Sequence, residues 1–231
     1  LLLKDNGKII IEGVYLLNNI SKGLFDTLYH EHVSNFSFYS LNLALKQFDL
    51  NIIDADLIKT QGGSFRVVCT KNDYSNNLKI SNKYKNLIKK ELQINIKNLN
   101  LYKNINNNLE KNIDNLKNKL ENFYRKLPKN QNIVGVGGSA RGVVITNVLN
   151  INNYLSAVID DTLEKHGCYF PGTKSKIISW DNNKINESNY FIILSWNYKK
   201  TLIKKLKKRK KNKTFFVINI LPTYSIDKIY G

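Results

Sequence analysis

Asn132-Ile133-Val134-Gly135-Val136-Gly137-Gly138-Ser139-Ala140-Arg141-Gly142 decides the fold of the C-terminal part of this chain. A short apolar β-branched run reads as a buried strand, and the glycines after it let the backbone turn sharply into a helix beginning near Ala140. Such a strand–loop–helix offers the free N–H groups of a helix N-terminus to an anion. Asp160 and Asp161 end the next apolar run, about where a dinucleotide-binding fold places its ribose-binding acid, and Gly135-x-Gly137-x-x-Ala140 loosely matches a nicotinamide fingerprint. The competing reading is a tight turn without a ligand. If a ligand is bound, Gly137, Ser139 and Ala140 line it, and Arg141 is placed to pair with a diphosphate.

Outward from this loop, short apolar runs at 156–159, 176–179, 190–194 and 215–220 alternate with helical stretches near 140–149 and 198–211. That alternation predicts a doubly wound parallel sheet over 131–231. Trp196 and Asn197 follow a strand's C-terminal end, where such sheets bind ligands; a Trp plugging the sheet edge is the bland alternative. His166 is read as a surface residue. Upstream, 74–130 is polar and helical. Leu109, Ile113, Leu116, Leu120, Phe123 and Leu127 alternate spacings of four and three and form an apolar stripe. Asn104 to Asn108 lower helix propensity enough for a break there, and Pro128 ends the segment. Residues 1–73 mix strands and helices. Leu1 to Lys4 reads as a helix end, 8–13 as a strand, and Ser40 as the cap of a helix through Phe48. Strands at 51–58 and 64–70 flank a hairpin at Gln61-Gly62-Gly63.

At 231 residues and 42% hydrophobic content the chain can bury a sizeable core. No apolar stretch reaches the roughly eighteen residues of a membrane span. Cys69 and Cys168 make neither a disulfide framework nor a zinc cluster, so a reduced, cytoplasmic setting is expected. The net charge of +18 arises mostly from Lys in a chain equally rich in Asn and Ile. Ten basic residues fall between Lys199 and Lys213, where Leu202, Ile203 and Leu206 keep helical spacing, so a solvated helix face is expected there. No rings are interleaved to stack bases, and nucleic-acid binding is not expected. The chain opens on Leu1 and holds no Met, so its N-terminus is expected to be processed, trimmed or missing.

Tyr29-His30-Glu31-His32 gathers two of the three histidines around a carboxylate and beside a phenol. Imidazole takes up a proton near neutral pH, so this is a plausible place to remove one from carbon or oxygen. A strand edge with polar side chains facing water is the competing reading.

Tyr29-His30-Glu31-His32-Val33-Ser34 with Phe36-Ser37, then Gly62-Gly63-Ser64-Phe65-Arg66, Gly135-x-Gly137-x-x-Ala140-Arg141-Gly142, Asp160-Asp161, Pro171-Gly172-Thr173 and Trp196-Asn197 occur in one order. That order resembles the C-terminal part of the sugar-nucleotide C-methyltransferases, which use S-adenosylmethionine. The resemblance implies a three-part enzyme with an N-terminal zinc module, a central cofactor-binding Rossmann-type domain and a C-terminal Rossmann-like domain that helps to hold the nucleotide sugar. It implies methyl transfer to a carbon beside the ketone of a nucleotide-diphosphate keto-sugar. His32 is then the base, and Tyr29 and Glu31 complete the catalytic cluster. Gly137, Ser139, Ala140, Arg141, Asp160, Trp196 and Asn197 contact the substrate. On this reading 1–73 ends a methyltransferase domain, 74–130 connects, and 131–231 is the second Rossmann-like domain. The glycine-rich strand that binds S-adenosylmethionine and the zinc-ligand cysteines are expected upstream, which would make the chain a fragment. Gln61 stands where the family usually has a His. No nucleic-acid or membrane partner is expected, and a monomer is. The rival readings are a nicotinamide-dependent sugar oxidoreductase and a binding module without catalysis.

Overall fold

A computed structural model describes residues 3–75, 78–129 and 131–231. The expected helix end at Leu1 to Lys4 lies partly outside them. The chain divides by packing into two compact units, Leu1–Lys22 with His32–Asn107, and Gly23–Glu31 with Asn108–Gly231. Packing therefore cuts the chain differently from sequence pattern: 23–31 leaves its sequence neighbours to join the second unit, and the helical segment is shared.

In the first unit, β1 (Lys8–Val14) leads into α1 (Leu16–Lys22), then α2 (Phe38–Lys46), β2 (Leu50–Ile58), β3 (Ser64–Lys71), the single turn α3 (Asn72–Ser75) and α4 (Asn82–Gln93). The strands form a sheet of order β1-β3-β2 with β3 antiparallel to both neighbours. Alternation along β3 puts Phe65, Val67 and Cys69 into a core with Tyr15, Phe38 and Leu41. The helix cap expected at Ser40 is Ser37 instead. Its hydroxyl accepts from the Ser40 N–H while the Ser40 hydroxyl accepts from the Ser37 N–H, so Ser40 is the partner in a capping box. Glu91 of α4 is fully buried and reinforces that helix start, accepting from the Phe38 and Tyr39 N–H groups at 2.8 and 2.7 Å and from the Tyr15 hydroxyl at 3.0 Å.

The long α5 (Leu99–Arg125) runs through Asn104–Asn108 without the expected break. The interruption falls earlier, between α4 and α5, where Asn95 adopts a left-handed φ of 57°. Burial of the apolar stripe outweighs the weak propensity of the asparagines. Leu109, Ile113, Leu116, Phe123 and Leu127 pack on the second unit's core around fully buried Leu120.

That second unit continues with β4 (Ile133–Val136), α6 (Ala140–Val148), β5 (Leu155–Ile159), β6 (Lys176–Ile178), α7 (Lys184–Glu187), β7 (Tyr190–Ile193), α8 (Lys199–Arg209), β8 (Thr214–Asn219) and β9 (Ser225–Tyr230). The sheet order is β6-β5-β4-β7-β8-β9. Five strands run parallel, and β9 pairs antiparallel with β8. This mixed α/β sheet is consistent with a Rossmann-like fold. β9 is a strand that the apolar runs do not include, and it corrects the expectation of a wholly parallel sheet. Its alternating exposure and its Lys228 and Asp227 mark a half-solvated edge, unlike the apolar runs that betrayed the others. In α8, Leu202 and Leu206 are buried as their spacing requires, and Lys200, Lys204, Lys207 and Lys208 are exposed on the expected solvated basic face; Lys210, at the helix C-cap, is the exception. Lys210 is 1% exposed, and its Nζ donates to the Asn186 and Ser188 carbonyls. None of the described helices is long and apolar enough to cross a membrane.

Candidate functional site

The chain leaves β4 toward β5 and β6 on one side and returns through β7 toward β8 and β9 on the other. The crevice beyond the C-terminal ends of β4 and β7 is thus a topological switch point, where open α/β sheets bind ligands. The glycine loop fills one bank. Gly137 has φ +93°, and a Cβ there would meet Ser195 Oγ at 2.4 Å, so only glycine fits. Gly135 and Gly142 serve another end: a Cβ on either would strike Leu194 at 2.8 or 2.9 Å, so their absence of side chains lets α6 pack closely on β4 and β7. Ser139 caps α6 by accepting from the Gly142 N–H, leaving Ala140 exposed at the first turn. Ser195, just past β7, joins the two banks with its Oγ 3.2 Å from the Gly137 carbonyl and 2.8 Å from Ser139 Oγ.

Asp160 stands at the end of β5 as its spacing predicts, with Oδ2 3.2 Å from where a Gly138 Cβ would lie. Burial pushes its carboxyl upward, but hydrogen bonds from Thr162 and the nearby Lys165 ammonium outweigh this and hold it below the ordinary carboxylate range. His166 is not the unpartnered surface residue expected: it is half-buried, with Nε2 2.9 Å from the Asp160 carbonyl. Asp161 pairs with Lys205 of α8 at 2.5 Å.

Arg141 projects from the first turn of α6 into the interior. Its Nε donates to Asp26 Oδ2 at 2.7 Å, the two side chains being 10% and 0% exposed. Trp196, half-buried after β7, donates its indole N–H to the same Asp26 oxygen at 2.7 Å, and its ring lies 4.9 Å from the Arg141 guanidinium carbon. Asn197 is half-buried beside it. Asp26 belongs to the stretch 23–31, whose Leu24 and Phe25 are buried in the same core as Leu120, Ile145 and Leu194. Sequence reasoning missed Asp26 and Ser195. Nothing marks an Asp in Leu24-Phe25-Asp26-Thr27 as buried except the apolar pair before it, and a Ser after a strand is common.

Three residues beyond Asp26 begins the Tyr-His-Glu-His motif. It is neither strand nor helix but a bend and turn, so the strand-edge reading does not hold. Tyr29 is half-buried, His30 and Glu31 are exposed, and the Tyr29 and His30 rings meet edge to face at 6.3 Å. Burial first, then the Glu31 carboxylate, raises the Tyr29 phenol above its ordinary value against the opposing pull of Arg141. The phenol therefore stays protonated at neutral pH and can donate. His32, half-buried in a loop, is assigned by packing to the first unit, whereas Tyr29 and Glu31 go with the second. Tyr29, Glu31, Gly137, Ser139, Ala140, Arg141, Asp160, Trp196 and Asn197 thus share one unit.

Among the described residues, no group of three or more His, Cys, Asp or Glu side chains is arranged to hold a metal. The glycine-rich strand-to-helix loop that a nucleotide-bearing cofactor needs occurs among them in the second unit. In the first, Gly63 takes φ +133° in the β2–β3 turn, where a Cβ would strike Asn18, and builds no such cradle.

A family model described as the C-methyltransferase C-terminal domain matches residues 59–222. The C-methyltransferase NovU of Streptomyces niveus is similar, 22% identical over 221 residues that cover 95% of this chain and 51% of that protein. The chain thus spans about half the length of the curated relative it matches.

Proposed function

The chain belongs to the C-methyltransferase C-terminal domain family, and from that premise we propose that it takes part in methyl transfer from S-adenosylmethionine to a carbon beside the ketone of a nucleotide-diphosphate keto-sugar. The observation that carries this reading is that Tyr29 and Glu31 pack in the same unit as the glycine loop and Asp160. We take 1–73 as the end of a methyltransferase domain of Rossmann type, with 23–31 docked on the second unit. On the same reading 74–130 is a helical connector and 131–231 the Rossmann-like domain that holds the nucleotide sugar.

S-adenosylmethionine supplies the methyl group as a sulfonium. The first unit's described residues do not fit it, so what these residues contribute is the proton half of the reaction and the grip on the sugar. The Gly137–Ala140 backbone and the α6 N-terminus meet the diphosphate, and Asp160 accepts from a ribose hydroxyl. Trp196 and Asn197 border the crevice, and Arg141, its charge paired with Asp26, supports the head of α6 beneath it. A proton on carbon next to a ketone is weakly acidic, so its removal needs a base and a donor to the developing enolate oxygen. His32 takes the proton, Tyr29 donates to the oxygen, and Glu31 hydrogen-bonds a sugar hydroxyl.

Calorimetric titration of the purified chain with a thymidine diphosphate sugar, S-adenosylmethionine and NAD tests the binding part of this reading. Binding of the sugar nucleotide without appreciable cofactor binding is expected. Tight NAD binding with no affinity for the sugar would favour the oxidoreductase built on Gly135-x-Gly137-x-x-Ala140 and Asp160. Sugar binding without turnover in the whole protein would leave a binding module.

A further inference from the structure

A buried charge is an expensive way to hold a loop. Asp26 is fully buried, yet its Oδ1 has no hydrogen-bond partner, and its Oδ2 alone takes both the Arg141 Nε and the Trp196 indole N–H. Apolar side chains of similar volume would add as much to the overall stability of the unit, since buried ion pairs seldom out-stabilise good packing. Leu24 and Phe25 already supply that packing next door. What a carboxylate adds is direction: two donors from different elements, one at the head of α6 and one past β7, converge on one oxygen and fix the angle at which the chain leaves the core.

The next residues out are Thr27, buried, then exposed Leu28, whose N–H closes a turn on the Phe25 carbonyl at 3.2 Å, then Tyr29. We propose that Asp26 is a positioning residue: by tying the 23–31 stretch to Arg141 and Trp196, it sets Tyr29 and Glu31 against the crevice formed by the glycine loop and the end of β7. This rests on the functional reading above. Asp26 itself touches no reacting atom. Its two partners straddle the switch point, so the tie also couples the motif to both banks of the site.

The test uses the whole protein with S-adenosylmethionine and a nucleotide keto-sugar, comparing wild type, Asp26→Asn, and the paired variant Asp26→Leu with Arg141→Met. Hydrogen exchange is read peptide by peptide alongside kcat and KM. For Asp26→Asn, exchange over 23–31 should rise about tenfold while β4 and β7 stay protected. The same variant should lose about 100-fold in kcat, as a displacement near 1 Å would cause, while KM for the sugar moves less than about threefold. If Asp26→Asn loses protection in β4 and β7 as well, the paired variant decides, because it removes the buried charge on both sides. It should keep the strands protected, loosen 23–31 and lower kcat.

Wild-type kcat in a variant whose 23–31 stretch has loosened would overturn the proposal, and so would unchanged exchange over 23–31. Wild-type protein that neither binds nor turns over any keto-sugar nucleotide would sink the functional reading instead, with the exchange result still reporting on the tie.

Discussion

Asp26 and Arg141, 115 positions apart in sequence, are joined by a 2.7 Å contact between Oδ2 and Nε in which the aspartate has no exposure to solvent. The pair binds a short stretch near the start of the chain to the head of α6, beside Leu24 and Phe25, which bury in the same core, and 23–31 packs with residues far downstream rather than with its sequence neighbours.

Removing one member leaves the other charged and buried. Arg141→Met alone should destabilise the second unit by about 3–5 kcal/mol, whereas Asp26→Leu with Arg141→Met should cost far less than the sum of the two single changes. Both tryptophans, Trp180 and Trp196, lie in this unit, so urea unfolding followed by their emission measures it. Additive single effects would show that the two side chains do not depend on each other.

At the glycine loop, two adjacent positions should behave differently. Gly137→Ala forces a Cβ within 2.4 Å of Ser195 Oγ at φ +93°. The backbone strain alone is about 1–3 kcal/mol, and relieving the clash would pull the β7 end away from the loop. At Gly138 the nearest atom to a new Cβ is Asp160 Oδ2 at 3.2 Å, a contact that a small shift relieves. Sugar-nucleotide affinity by calorimetry should therefore fall much further for Gly137→Ala than for Gly138→Ala. Equal affinities would mean that the Gly137–Ser195 approach does not shape the crevice.

Much of this was legible in the sequence. The five parallel strands announce themselves as β-branched apolar runs, because strands covered on both faces have no solvent side to encode. β9 escaped because an antiparallel edge strand alternates and carries charge. The stripe from Leu109 to Leu127 foretold that α5 lies on a core, yet propensity misplaced the break, since packing outweighs a few tenths of a kcal/mol per asparagine. Ser37 and Ser40 show the limit of cap reading: either suits the position, and the Glu91 carboxylate, 53 residues from Phe38, helps to fix the start. Gly137, Asp160 and Trp196 were found by their distance from strand ends. Asp26 was not, because what singles it out is two partners more than a hundred residues away.

Acid should report on Asp160. Its carboxyl lies below the ordinary range because the Thr162 hydrogen bonds and Lys165 outweigh burial. A depressed acid stabilises the fold above the unfolded-state value, near pH 4, and that contribution fades as pH falls through the folded-state value. Asp160→Asn should therefore flatten the fall of the urea midpoint below about pH 4.5 while leaving its slope near pH 7 unaltered. An identical acid limb in both proteins would show that the charged form gains nothing from these partners.

The most direct measurement concerns His32 and the substrate proton. In the whole protein, with nucleotide keto-sugar in deuterium oxide and S-adenosylmethionine left out, wild type should exchange deuterium into the carbon beside the ketone, followed by proton NMR. His32→Asn should abolish that exchange while sugar affinity stays within about threefold, because proton removal is lost and the binding contacts are kept. Wash-in at the wild-type rate in His32→Asn would contradict the account and assign the base to another group.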